Sequence, residues 1–328
     1  MRDIRSSFFL NQKNIKIKEF NAMNNDLTTT NFANTSVVSY PARDNRFGNN
    51  SYRGNCTGLL IKDMINFFKP KLFVDACEGS GTSGDVCRAL GINYVGLDLR
   101  YGNDFTKMSI AKELPQLADI CFTHPPYHDM IKYSGEQWNQ GQGYVSGDTS
   151  HCKNADEFIA MSQVMLLNQR EATKNGGIYA TLIGDQKVSG VCSSYQADFI
   201  KMMPKNELLN VVIKMQHNTH SANTQYSNRN FIPISHEYLI LWKKKAASIY
   251  QVAFEVAKEG QKLIASTWRS VIRLIMMQFN GSVSLNTIYA EVEKVAQSLI
   301  AKNSNWKAKI RQQLQKHHTN VQRGIWAI

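Results

Sequence analysis

Residues 119–130 read DICFTHPPYHDM, an apolar run that ends in His124, Pro125, Pro126 and Tyr127. The apolar part reads as a buried strand. Proline stiffens the chain and cannot donate to a strand ladder, so a Pro-Pro pair at this point fixes backbone geometry instead of extending a sheet. Prolyl carbonyls held this way are preorganised acceptors for an amino group, and a tyrosine face beside them can take a planar ring. A second stretch, FVDACEGSGTSGDV (73–86), delivers Asp75 from an apolar strand into a turn with Gly79, Gly81 and Gly84. Lacking Cβ atoms, such a turn lets a ligand approach the backbone closely. The spacing is neither G-x-G-x-x-G nor a Walker A loop, so a phosphate-free nucleoside fits as well as a dinucleotide. A third stretch, YVGLDL, places Asp98 at the end of the next strand, 17 residues after Gly81. A carboxylate there can accept both hydrogen bonds of a ribose diol.

These residues need strands to carry them. Apolar strands alternate with helical patterns from residue 59 to residue 245, which predicts an α/β sheet with helices on both faces. The pattern predicts a helix over 59–68 stopped by Pro70, and another ending at Gly91. It predicts a long helix over 155–177 that closes at Gly176-Gly177, and a late strand pair over 208–216 and 236–244. Residues 1–36 are polar and rich in Asn and Thr, and are expected to be weakly ordered. The stretch after Val37 reads as irregular. Residues 246–265 read as a linking helix. In 266–328 the order is a helix capped by Thr267 and stopped by Gly281, a short extended piece, a second helix, a third capped by Ser304 or Asn305, and a hairpin turning near Arg323-Gly324. Helix, strand, helix, helix, hairpin is the order of a winged helix.

Hydrophobic residues make up 43% of the 328 and charged residues 20%, ordinary values for a folded globular chain. No apolar run approaches the roughly 20 residues of a membrane span, and the apolar patch near the N-terminus is too short for a secretory segment. A cytoplasmic protein is the expectation. The six cysteines contain no C-x-x-C pair and are expected as reduced thiols, with no metal site. The net charge of +12 is uneven: residues 243–328 hold 14 Lys/Arg against 4 Glu and no Asp, while the middle of the chain is near neutral. A basic C-terminal piece on a neutral body suits a polyanionic partner.

Taken together the motifs resemble those of the class I S-adenosylmethionine-dependent DNA amino-methyltransferases, which make N6-methyladenine or N4-methylcytosine. That family has a Gly-rich first motif, an acid after the second strand, and an (Asp/Asn/Ser)-Pro-Pro-(Tyr/Phe) motif. The matches here are Asp75 with Gly79, Ser80, Gly81 and Thr82, then Asp98, then His124 to Tyr127, in a resemblance covering roughly residues 40–245. It implies a Rossmann-like seven-stranded methyltransferase sheet and S-adenosyl-L-methionine as cofactor. The segment GNCTGLLIKDMI resembles the part that contacts the cofactor's methionine end, which implicates Asn55 and Thr57. His124, Pro125, Pro126 and Tyr127 would be the catalytic residues, acting on a base flipped out of double-stranded DNA. The family's residue at the position of His124 accepts a hydrogen bond from the target amino group. A neutral imidazole can accept and an imidazolium cannot, so activity is expected to fall at acidic pH.

The C-terminal piece resembles a winged-helix DNA-binding domain, with Lys307, Lys309, Arg311 and Arg323 as its expected DNA contacts. A cognate nuclease of a restriction-modification system, or a second copy of the chain, would be a further partner; a membrane would not. The alternatives are an RNA base methyltransferase and a catalytically silent DNA-binding partner that kept the fold. Polar clusters at 133–138, 147–152 and 214–231 could line a cleft, and Asp185 is a further candidate. His236-Glu237 reads as the start of a strand, and His128 receives no role.

Overall fold

The computed structural model describes residues 32, 35–133, 147–217, 232–258, 261–300 and 304–328. Nearly all of the 1–36 segment therefore lies outside the described residues. The central sheet has seven strands: β1 (Val37–Ser39), β2 (Leu72–Asp75), β3 (Asn93–Gly96), β4 (Ala118–Thr123), β5 (Thr173–Ile183), β8 (Leu208–Met215) and β9 (His236–Lys243). Their spatial order is β1-β8-β9-β5-β4-β2-β3. Only β9 runs antiparallel to its neighbours. The α/β reading of the sequence thus holds, and the architecture is Rossmann-like.

The strands are apolar because both faces are covered. On one face, α1 (Gly58–Phe68) brings Leu60, Ile61 and Met64 onto Phe73, Phe122 and Leu241. On the other, α3 (Ala155–Ala172) and α4 (Tyr195–Met202) bring Phe158, Leu166 and Phe199 onto Tyr179, Ile183 and Trp242. The helix α2 (Thr82–Leu90) follows β2. The chain then runs to β3 on one side of β2 and returns to β4 on the other. In an open α/β sheet a crevice forms at such a reversal, beyond the carboxyl ends of the strands.

Two local expectations are corrected, and one element was not expected. The stretch after Val37 is not all irregular, because β1 pairs in parallel with β8 and adds an edge strand. The long helix ends at Ala172 rather than at the Gly-Gly pair. Thr173 Oγ donates to the Gln169 carbonyl at 2.9 Å and closes the helix, and Thr173 already pairs with Ala118. Gly176 and Gly177 then trade backbone hydrogen bonds with Lys244. A hairpin, β6 (Gln186–Val188) and β7 (Val191–Ser193), was missed. Its turn residues Ser189 and Gly190 have φ of 50° and 83°, the left-handed pair of a two-residue hairpin turn. The Ser-Gly between two valines was the available signal.

Beyond β9 the chain continues through α5 (Ile249–Lys258), α6 (Gln261–Gln278), β10 (Ser282–Ser284), α7 (Leu285–Ile300), α8 (Trp306–His317), β11 (Thr319–Gln322) and β12 (Ile325–Ala327). The three short strands form an antiparallel sheet in the order β10-β12-β11. Thr267 is not a cap: it lies inside α6, whose 18 residues contain no Gly or Pro to break them. The boundary expected between 265 and 266 therefore cuts a continuous helix. One side of α6 gives Leu274 and Met277 to the core of the large sheet. Its other residues Val271, Ile272 and Ile275 pack with Ile288, Trp306 and Leu314. The C-terminal unit is joined to the sheet through shared apolar packing rather than tethered by a linker.

Candidate active site

The Gly-rich turn and the Pro-Pro pair leave the carboxyl ends of β2 and β4, adjacent strands in the sheet. In the turn, Gly79 and Gly81 have φ of 53° and 85°, values that side chains disfavour. The turn is tied down by carboxylates. Asp75 accepts from the Cys77 N–H at 3.0 Å and from the Ser83 hydroxyl. Burial pushes its carboxyl up to about 7 against those two hydrogen bonds. Asp98 accepts from the Gly79 N–H at 2.8 Å through one oxygen and from the Arg100 N–H at 2.9 Å through the other. An ionised carboxylate has about four acceptor positions, so each Asp98 oxygen keeps capacity for a ligand hydroxyl.

A cavity, partly open to solvent, lies over this turn. Asn55, Asp75, Gly79, Ser80, Thr82 and Asp98 all line it, as do His124, Pro125 and Pro126. Gly81 is not in the lining; it supplies the left-handed residue that starts α2. Thr57 is not there either. It caps α1, accepting from the Leu59 N–H, and faces a second cleft. Sequence reasoning missed Tyr52, which lines the first cavity beside Tyr133 of the 133–138 cluster, with ring centroids 6.3 Å apart. The Arg100 guanidinium stands 5.6 Å from the centre of the Tyr52 ring and donates to the Gly79 carbonyl at 2.8 Å.

The second cleft is lined by Arg43, Tyr127, Lys214, His217 and Glu237, among others. It shares Asn55, His124, Pro125 and Pro126 with the first cavity. The Pro-Pro segment is thus a common wall between two compartments. Tyr127 lies against Gly184, where a Cβ would come within 2.6 Å of the ring. Its hydroxyl donates to Glu237 Oε1 at 2.7 Å and lies 2.8 Å from His124 Nε2. Lys214 Nζ donates to Glu237 Oε2 at 2.6 Å, across the register of β8 and β9. Burial works against the Glu237 charge, but Lys214 first, then His124 and Tyr127, hold its carboxyl below the usual range. Burial drops His124 to about 4, with Glu237 opposing the shift and Lys214 adding to it. Glu237, read in the sequence as a strand start, is therefore part of the site. A charged pair inside two apolar strands was the signal.

Other candidates are placed elsewhere. Asp185 accepts from Ser194 Oγ at 3.3 Å and the Gln196 N–H at 3.4 Å, and lines neither cavity. His128 lies 3.2 Å from the Tyr195 hydroxyl and 3.1 Å from the Cys152 carbonyl, pinning the loop after Tyr127. Of the polar clusters, Tyr133, Asp148 and Thr149 line the first cavity, and Lys214 to His217 line the second cleft. Residues 134–146 and 218–231 lie outside the described residues. In the C-terminal unit Lys307 pairs with Glu293 at 3.0 Å and sits over the rings of Tyr289 and Trp306. Arg311 donates to the Tyr289 hydroxyl at 3.1 Å. Lys309 is half-buried on α8, and Arg323 is exposed in the turn between β11 and β12.

No family model and no curated protein matches the chain. Among solved structures it is similar to TrmN from Thermus thermophilus, at 13% identity and a TM-score of 0.32 over 58% of this chain and 50% of that one. It is similar to a candidate DNA modification methylase, also from Thermus thermophilus, at 14% identity and a TM-score of 0.27 over 54% of this chain and 53% of that one. TehB from Haemophilus influenzae matches at 12% identity and a TM-score of 0.28, over 56% of this chain and 61% of that one. The chain thus spans between half and three-fifths of these proteins. A likeness this distant says nothing of substrate. Among the described residues no helix is long and apolar enough to cross a membrane.

Proposed function

We propose that the chain is an S-adenosylmethionine-dependent amino-methyltransferase that acts on adenine N6 or cytosine N4 of a base flipped out of DNA. The observation that carries this reading is the common wall: His124, Pro125 and Pro126 separate a cavity floored by Asp98 from a cleft walled by Tyr127. A nucleoside cofactor fits the first compartment. Its Gly turn admits close approach, and Asp98 has acceptor capacity for a ribose diol. When bound, S-adenosylmethionine supplies an electrophilic sulfonium methyl. Asn55, Gly79, Ser80, Thr82 and Asp98 would hold it.

The chain's own residues then position the acceptor. An exocyclic amino group is a weak nucleophile and is inaccessible in a stacked duplex, so the base has to leave the stack. The Tyr127 ring offers it a face, and His124 and the Pro125 carbonyl take its amino hydrogens. The gain comes from proximity and alignment, with the Pro-Pro backbone rigid before the base arrives. Expression in a methylation-free host followed by base-modification sequencing tests this. A modified motif names base and site. Cofactor binding with no DNA modification overturns the DNA reading.

The pH expectation changes with the structure. With His124 held at about 4 it is neutral throughout the ordinary range, so its protonation is not felt at mildly acid pH. His124 protonation should therefore cause no fall in turnover between about pH 8 and about pH 5.5; the Asp75 carboxyl, raised to about 7 by burial, is the site group that titrates there. A midpoint near the ordinary histidine value that persists in Asp75→Asn and vanishes in His124→Asn would overturn this.

For the partner, we read 266–328 with α6 as a winged helix docked on DNA, on its element order, its three-stranded sheet and the basic charge of the C-terminal piece. Because α6 is shared with the main core, deleting 266–328 would damage the fold, and point changes are the cleaner test. Lys309→Ala and Arg323→Ala should each reduce the slope of log affinity against log salt by about one, leaving cofactor affinity unchanged. An unchanged slope removes these residues from the interface.

A further inference from the structure

The hydrogen-bond chain behind the Pro-Pro wall has a direction. Glu237, ionised beside Lys214, only accepts. Tyr127 has one proton, and the 2.7 Å contact gives it to Glu237. The Tyr127 oxygen can therefore meet His124 Nε2, 2.8 Å away, only as an acceptor. That requires a proton on Nε2, and in a neutral ring Nδ1 is then bare. The reverse direction needs a protonated Glu237, which the buried lysine 2.6 Å from it disfavours. The chain joins residues from three places: Tyr127 is 110 residues from Glu237, which is 23 from Lys214.

We propose that Lys214 and Glu237 are positioning residues that act through Tyr127 to hold His124 as its Nε2–H tautomer, leaving Nδ1 as the hydrogen-bond acceptor for the amino group of the target base. This is how a histidine serves where the resembling family uses Asp, Asn or Ser. A free imidazole exchanges tautomers and would present a donor part of the time; the relay removes that state. Lys214, Glu237 and Tyr127 line only the second cleft, and the relay reaches the cofactor cavity through His124 alone.

The identity of the group received at Nδ1 rests on the methyl-transfer reading; the tautomer does not, and it can be read on the protein alone. The experiment is nitrogen-15 NMR of the histidine-labelled full chain at neutral pH, with His124 assigned by loss of its signals in His124→Gln. The expected result is a protonated Nε2 and a bare Nδ1. The paired variant Lys214→Met with Glu237→Leu removes both buried charges at similar volume, which avoids leaving either one uncompensated. It should give mixed tautomers at His124 and a roughly tenfold lower kcat with unchanged cofactor affinity. A wild-type His124 protonated on Nδ1 overturns the proposal. So does a paired variant whose tautomer and kcat match the wild type. Absence of methylation alongside the expected tautomer overturns the proposed function and the acceptor role together, and leaves the relay geometry standing.

Discussion

Tyr127→Ala should lower methyl-transfer turnover at least about 100-fold while changing S-adenosylmethionine affinity by no more than about threefold. The asymmetry follows from where the side chain lies. Tyr127 lines the second cleft and not the cofactor cavity. Its ring is braced by Gly184, and its hydroxyl links His124 to Glu237. Truncation removes the face for the base and breaks the relay at once. Tyr127→Phe separates the two losses, because it keeps the ring and removes the hydroxyl. It should therefore retain most base binding and lose roughly tenfold in kcat. Single-turnover methylation and calorimetric titration of the cofactor measure the two quantities. An equal loss of turnover and cofactor affinity in Tyr127→Ala would mean that the two compartments are not separate in function.

Glu207→Ala should destabilise the fold by about 3 kcal/mol, the low end of the cost of breaking a buried ion pair, because Glu171 still accepts from the Arg170 guanidinium at 2.8 Å. The Arg170 side chain is fully buried in α3. Its Nε donates to Glu207 at 2.8 Å, and a terminal nitrogen donates to the other carboxylate oxygen at 2.5 Å. The same guanidinium donates to the carbonyls of Lys245 and Ala247, where the chain leaves β9 for the C-terminal unit. Glu207 also accepts from the Tyr179 hydroxyl at 2.6 Å and the Lys245 N–H at 3.0 Å. Removing the carboxylate takes the acceptor from the Tyr179 phenol and leaves the guanidinium to Glu171 and the two carbonyls. Urea unfolding of the variant checks the size, and a loss below about 1 kcal/mol would show that solvent reaches the pair.

The same pair sets an acid limit. Burial alone would raise the Glu207 carboxyl, but the hydrogen bonds from Arg170 and Tyr179 outweigh it and hold it below the usual range. A depressed carboxylate stabilises the fold fully above its unfolded value, and that contribution is lost as pH falls through the folded value. Stability should therefore decline on the acid side of the ordinary glutamate range, and Glu207→Gln should flatten that limb.

What could be read from the chain alone is what contiguous residues decide. A Gly-rich turn after an apolar strand is a property of local backbone freedom, and Asp75, Gly79 and Thr82 lie where their spacing placed them. Pro125 and Pro126 stiffen their segment wherever it is put. Strand-helix alternation follows from burial on both faces, and it gave the α/β class without any contact being known. Local signals also misled where distant pairing outweighed them: β5 claims Thr173 because β4 is beside it, and α6 runs through Thr267 because two cores need its faces. The relay was out of reach for the same reason. Lys214 meets Glu237 only through the register of β8 on β9, and Glu237 meets Tyr127 because β5, which leads into Gly184, stands between β9 and β4. Side chains 110 residues apart become neighbours through sheet order, which no window along the chain contains. The sequence determined which chemical groups were present and how their own turns bend. The tertiary structure decided which of those groups meet, and it sets Lys214, Glu237, Tyr127 and His124 in one hydrogen-bonded line beside the Pro-Pro wall.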